Sequence, residues 1–300
     1  MRSLVPIGPL LSVALIFFSA MAFSTMAFSA VVTSETVQYQ AEDDTGQVIS
    51  LDSRPNRIVS LSPHLTEILF SLGVGEKIIA TVHYADYPDA ARQIPRLGDV
   101  FSISVEAIVA LAPDLILAWT TGGNQRTLQQ LKELGYPIFL NEAGSLAGVA
   151  SSVERIGQLV GRSDTASKLA REFVNGVNAI ATEQRAKPEI RVFFQIADTQ
   201  LYTVNNQHLI GQALSVCGAE NIFGEVSIAV PMVSFESVVE QNPDFVVVAA
   251  PYEGFVSKWN SEWEMLGWSS RVRYLDASLI TRPGLRMLDG IKSLCKTLRE

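Results

Sequence analysis

Three histidines, His64, His83 and His208, and two cysteines, Cys217 and Cys295, are the side chains of this chain best suited to metal or covalent chemistry. Their spacing favours neither. A metal site built on one turn or loop needs ligands that recur closely, as in H-E-x-x-H or C-x-x-C, and these five are scattered over more than 200 positions. Each histidine reads as a helix-start or loop residue, so no metal site is expected. G-x-S-x-G and the Walker A loop are also missing, and Gly73-Val74-Gly75 is too short a glycine run to cradle a phosphate. The acidic pairs Asp43-Asp44 and Asp86 with Asp89 read as solvated carboxylates. With no nucleophile and base to pair, the residues point to binding, without a cofactor of the protein's own.

Aromatic side chains are better placed for such a task. Tyr84 follows an apolar β-rich run, Trp119 ends another just before Thr121-Gly122-Gly123, and Tyr202 follows a third. In open α/β sheets ligands bind at the carboxyl ends of the strands, where aromatic faces suit a large flat ring. The plainer reading is that these rings pack against their own surroundings.

The elements that would position them alternate. Residues 57–62, 77–82, 114–119, 137–141 and 191–197 read as strands, apolar nearly throughout, with amphipathic helical patterns between them. That is the pattern of a mostly parallel sheet covered on both faces. The first helix opens with Ser62 as N-cap and Pro63 at its first position, and Gly73 stops it. From Ser145 to about Arg185 the strand signal vanishes. Leu146, Val149, Val153, Ile156 and Val160, then Leu169, Phe173, Val177 and Ile180, recur at helical spacing and predict two helices divided near Gly161 to Asp164.

The two halves repeat one another. Residues 104–117 match residues 234–247 at a constant offset of 130 with five identities, and Leu65, Ser71, Glu76 and Ile78 match Leu209, Ser215, Glu220 and Ile222 at an offset of 144. Two matches in the same order suggest two related α/β lobes joined by the helical segment, and a cleft between lobes is the default ligand site. Each repeated unit starts with a Ser N-cap and carries Glu106 or Glu236 in its first turn, where the helix dipole favours an anion. These two are either ordinary dipole-complementing carboxylates or a matched pair of charges fit to dock a symmetric partner.

The formal net charge is −8 and no basic cluster exists, which excludes nucleic acid as a partner because phosphate neutralisation needs grouped Lys and Arg. Arg2, the apolar run Leu10 to Phe18 and the small-residue pattern Ala27-Phe28-Ser29 read as a secretory signal peptide over residues 1–29; an uncleaved membrane anchor is the alternative. For a chain bound for an oxidising compartment, two cysteines suggest one disulfide, with two buried thiols as the other possibility.

The stretch Arg57-Ile58-Val59-Ser60-Leu61-Ser62-Pro63 with Thr66-Glu67, the loop Tyr84-Ala85-Asp86-Tyr87-Pro88, the run Ile108 to Leu115 and the run Val216 to Phe223 resemble the helical-backbone periplasmic binding proteins for metal chelates. The resemblance spans about residues 55–299. Within that family the likeness is greatest to the cobalamin binders. It implies an α/β fold of two lobes with mostly parallel sheets joined by a long helical backbone segment. It also implies a monomeric periplasmic receptor, not an enzyme, that carries cobalamin to the permease dimer of an ABC transporter. Carried over residue by residue, it assigns permease docking to Glu106 and Glu236, a disulfide to Cys217 and Cys295, and ligand contact to Tyr84, Trp119 and the segment Ser278, Leu279, Ile280, Thr281 and Arg282. Two tryptophans and an aspartate of the family's cobalamin cleft fall here on Val100 (beside Phe101), Val230 and Ser278.

The expected organisation is therefore a signal peptide (1–29), an N-terminal extension (30–54), an N-terminal lobe (55–144), a helical linker (145–187) and a C-terminal lobe (188–300). The competing expectations are the same fold holding haem or a ferric siderophore, an α/β enzyme, and a module that binds only protein. Haem would ask for a Tyr or His axial ligand; a siderophore would ask for cleft cations, for which Arg282 and Arg286 are available.

Overall fold

The structure, a computed structural model, describes residues 39–99 and 101–300. The signal-peptide reading and Val100 lie outside those residues. Two four-stranded sheets, parallel throughout, organise the chain. The first has the order β4 (Ile78–Thr81), β3 (Ile58–Ser60), β5 (Leu115–Trp119), β6 (Ile138–Asn141), and the second the order β10 (Val272–Asp276), β9 (Phe245–Ala250), β7 (Ile190–Gln195), β8 (Ala219–Asn221). Each sheet with its helices forms one lobe.

Continuous apolar strands bury both faces. In β5, Leu115 and Leu117 face one core and Ile116 and Ala118 the other; in β9, Val247 and Ala249 divide from Val246 and Val248 in the same way. The helices that cover these faces include α1 (Pro63–Ser71), α2 (Val105–Ala110) and α3 (Gln125–Glu133) on the first lobe. Between the lobes run α4 (Leu146–Leu159) and α5 (Ser163–Gln184). At 22 residues α5 is about 33 Å long, and Gly161, at φ +65°, makes the left-handed turn that separates the two helices.

The second lobe carries α6 (Leu209–Val216), α7 (Phe235–Gln241), α8 (Asn260–Met265), the single turn α9 (Ala277–Ile280) and α10 (Met287–Thr297). A disulfide joins Cys217, at the end of α6, to Cys295 in α10.

Ser62 is the N-cap of α1 and Pro63 its first residue, as expected, but the Ser62 hydroxyl makes no capping bond; it bonds Nδ1 of His64 at 2.7 Å, because the buried imidazole needs a partner more than an N-terminus that already starts with Pro63. Part of the expected extension is built structure: Tyr39–Glu42 (β1) and Val48–Leu51 (β2) form an antiparallel hairpin, with Ala41 and Ile49 in the first lobe's core. Its turn explains Asp43, which is buried, and Asp44, which is exposed but engaged. Asp43 accepts bonds from the backbone of Thr45, Gln47 and Leu140, and Asp44 pairs with Arg155 at 2.6 Å and accepts from the Glu142 backbone. The two carboxylates thereby close the outer edge of β6, which would otherwise offer unpaired backbone groups.

The repeat is structural as well. Asp114 accepts from the backbone N–H of Asn56 and Arg57, and Asp244 from that of Arg191; each aspartate's own N–H returns a bond to the carbonyl of that arginine. Ala112 and Asn242, 130 positions apart, both sit in the left-handed region, at φ +42° and +44°. Each unit ends its short helix with the same left-handed residue, then Pro-Asp, then a buried strand.

Candidate functional site

The loop after β4 meets the carboxyl ends of β9 and β10 and the segments that follow them around a hollow of about 690 Å³ lined from both lobes. The loop after β4 brings Tyr84 and Asp86 to it. The loop after β9 brings Tyr252 and Phe255, and β10 with the following turn brings Tyr274, Ser278 and Arg282. Tyr84 is 75% exposed and its backbone is left-handed, at φ +64°; a non-glycine residue in that conformation is held there by its loop. Tyr252, Phe255 and Tyr274 form an edge-to-face chain, with ring centroids 5.5 and 6.3 Å apart. A smaller recess of about 420 Å³ in the second lobe shares Pro251 and Phe255 with the main hollow. Walls that set aromatic faces among polar groups, here Asp86, Glu253, Asp276, Ser278 and Arg282, hold a bulky ligand by stacking and fix its orientation by hydrogen bonds.

The lobes are pinned at the back of the hollow by one ionic cluster. Arg282 Nη1 donates to Glu67 Oε1 (2.8 Å) and Asp86 Oδ1 (3.0 Å), and its Nη2 donates to the carbonyl of Tyr84 (3.0 Å). Arg286 adds a bond to Glu67 Oε1 at 3.1 Å and lies over the ring of Tyr87, 3.8 Å from its centroid. Glu67 is 3% exposed. Burial pushes its carboxyl above the ordinary value, against the hydrogen bonds and charges of Arg282 and Arg286. Burial also works against the Arg282 cation, but the bonds and charges of Glu67 and Asp86 outweigh it and hold the guanidinium above its usual value.

Beside this cluster, Ser62, His64 and Asn141 form a buried row: Oγ to Nδ1 at 2.7 Å and Nε2 to Asn141 Oδ1 at 3.0 Å. Burial lowers the imidazole from 6.5 to about 4, partly opposed by the Asn141 bond and reinforced by Arg282. A serine and a histidine in a row resemble a hydrolytic triad, but the third member is an amide and not a carboxylate, and all three side chains are buried. The row anchors the start of α1. Among the described residues no group of three or more His, Cys, Asp or Glu is placed to hold a metal ion.

The structure brings Tyr84, Ser278 and Arg282 together at the hollow, and Thr281 lines the adjoining recess. It places the other expected residues differently. Ile280 is 0% exposed in the second lobe's core, since the single turn of α9 sends that side chain inward. Leu279 is half-buried on the same turn. Trp119 lies with its ring over Gly122 and its edge toward His64, beside a crevice lined by Leu61 and Ile103. Phe101 is exposed next to that crevice's Asn124, which donates to its carbonyl. Tyr202 pairs with Met232 in an isolated antiparallel bridge, and Val230 is exposed in the same strip. Arg282 is at the site, but its donors serve Glu67, Asp86 and Tyr84; a buried carboxylate requires a cation, and this is the nearest. Asp86, half exposed, shares that guanidinium and so is paired as well as solvated, whereas Asp89 pairs only with exposed Arg92.

Sequence reasoning missed Tyr252, Phe255 and Tyr274. The signal was available: Pro251-Tyr252-Glu253-Gly254-Phe255 directly follows an apolar strand, the same rule that singled out Tyr84. Glu106 and Glu236 each occupy the second position of their helices, α2 and α7, exposed behind the capping hydroxyls of Ser104 and Ser234.

Residues 58–285 match the periplasmic binding protein family. The vitamin B12-binding protein of Vibrio campbellii is 32% identical over 243 residues, 80% of this chain and 88% of that one. Among solved structures, the periplasmic vitamin B12-binding protein of Vibrio cholerae has a TM-score of 0.73 at 29% identity, covering 82% of this chain and 97% of that one. A periplasmic heme-binding protein of Roseiflexus has a TM-score of 0.72 at 22% identity over 81% of this chain and 97% of its own, a likeness of fold alone.

Proposed function

The chain belongs to the periplasmic binding protein family, and we propose that it holds a cobalamin in the hollow between its lobes and delivers it to the permease of an ABC importer. The family is one of solute-binding proteins and not of enzymes; its members serve importers and work in the periplasm. The observation that carries the reading is the hollow lined from both lobes, with four aromatic rings on its walls. The sequence relatives named for vitamin B12 direct it to a corrinoid.

In this reading Tyr84 stacks from one side and Tyr252, Phe255 and Tyr274 from the other. Ser278 and Thr281 offer polar contacts, Leu279 packs beneath them, and Arg282 keeps the walls apart at a fixed width. Phe101, Trp119, Tyr202 and Val230 belong to the rim, where a bulky ligand extends beyond the hollow, and Val100 is a ligand contact by resemblance alone. Glu106 and Glu236 seat the loaded monomer on the two halves of a permease dimer, an electrostatic contact that sets orientation and encounter rate more than affinity. Residues 1–29 act as the cleaved export signal.

One observation favours a second ligand. The phenol of Tyr84 stands free at the mouth of the hollow, and a tyrosine is one of the groups that can ligate haem iron. Titrating the purified protein with cyanocobalamin, hemin and a ferric siderophore separates the readings: submicromolar binding of cyanocobalamin supports the first, and binding of hemin alone overturns it.

A further inference from the structure

The recess beside the main hollow is lined by apolar groups, among them Ile196, Val248 and Phe255, and by three polar side chains, Asp198, His208 and Thr281. Thr281 is spent, its hydroxyl donating to the carbonyl of Ala277 at 2.7 Å. The other two are fixed on one side and open on the other.

His208 precedes α6, and its Nδ1 accepts the backbone N–H of Ile210 at 3.1 Å. In the neutral ring that bond puts the proton on Nε2, and burial lowers the imidazole's affinity for a second proton. Nε2 is therefore a hydrogen-bond donor without a partner among the described residues. It is the wrong tautomer to ligate a metal. Asp198 uses a single oxygen, Oδ1, for both Ser257 Oγ and the N–H of Lys258, each at 2.8 Å. Its Oδ2 is an acceptor with no partner among the described residues.

A fixed donor and a free acceptor in one recess match a group that has both. We propose that Asp198 and His208 form a subsite for a primary carboxamide on the rim of the ligand, its oxygen accepting from His208 Nε2 and its nitrogen donating to Asp198 Oδ2. The inference rests on the cobalamin reading and deepens it. A corrin carries primary amides at its edge, whereas haem carries carboxylates, and a carboxylate placed here faces Asp198 with like charge. The subsite thus selects among macrocycles by their side chains and not by their metal.

Two substitutions test this with little effect on the fold. His208→Asn keeps a capping oxygen for α6 but is too short to present the donor. Asp198→Asn keeps an acceptor for Ser257 and Lys258 and turns the free acceptor into a donor. The probes are cyanocobalamin and its singly deamidated monocarboxylic acids, titrated by calorimetry alongside thermal melting. The wild-type protein is expected to bind cyanocobalamin at least about tenfold tighter than one of the monocarboxylates, and each variant to bind cyanocobalamin about tenfold more weakly. Asp198→Asn should also reduce or invert the preference against that monocarboxylate. If His208→Asn melts early, Asp198→Asn carries the test alone. Wild-type indifference to every deamidation, or variants within about twofold of wild type, overturns the subsite while the cobalamin reading stands; no binding of cyanocobalamin by the wild-type protein overturns both.

Discussion

At the scale of single residues, the groups that look most chemical are occupied in holding the molecule. His64 is neutral because its folded pKa is about 4 against 6.5 for a free imidazole. The unfolded chain therefore binds the extra proton first. The His64 contribution is intact above about pH 6.5 and is lost as pH falls toward 4, to a total of about 3 kcal/mol. Urea unfolding followed from pH 7 to 4 should show this slope, and His64→Gln should flatten it. Glu67 works in the opposite direction, since a raised carboxyl favours the fold at low pH and loses that advantage as pH rises. Removing Arg282 leaves Glu67 with one cation: Arg282→Met should cost about 3 kcal/mol, and adding Glu67→Met should recover part of it, because the stranded charge is then gone. None of this pairing is legible in the sequence. Glu67 and Arg282 are 215 positions apart, and a charge reveals its partner only once packing has buried it. Arg282 was readable as a cleft residue and not as one already engaged.

Among the elements, periodicity carried the most information where burial is two-sided. Strands such as β5 and β9 are apolar throughout, so their existence was plain, and α4 and α5 showed a clean helical stripe. The β1–β2 hairpin was not readable: only Ala41 and Ile49 of it are core residues, and its function depends on Asp43 and Asp44 reaching β6, a contact between distant segments. The repeat gave Ser104 and Ser234 as caps, and both cap. It did not give the left-handed turn, because Asn242 suits that conformation and Ala112 does not. Ala112→Gly should accordingly raise stability by about 0.5 to 1 kcal/mol in a melting experiment. The disulfide closes a loop with a sequence separation of 78; Cys217→Ala with Cys295→Ala should lower stability by about 3 to 5 kcal/mol, equal to the effect of reductant on the native protein.

For the whole molecule, the fold assigns its two lobes different tasks. The first supplies Tyr84 and a buried carboxylate that fixes the opposite wall; the second supplies most of the lining. Both present one exposed glutamate on a short capped helix. Since these lie outside the hollow, Glu106→Ala with Glu236→Ala should reduce uptake in cells at least about tenfold while changing ligand affinity by less than about twofold; unchanged uptake would sink the docking role. The central claim, that the hollow is where cobalamin binds, is tested most directly by equilibrium titration of cyanocobalamin on the wild-type protein and on Tyr84→Ala with Tyr252→Ala. The account predicts a single submicromolar site, weakened in the double variant by about 2 kcal/mol or more with an unchanged melting temperature. Equal affinity in the two proteins would contradict it.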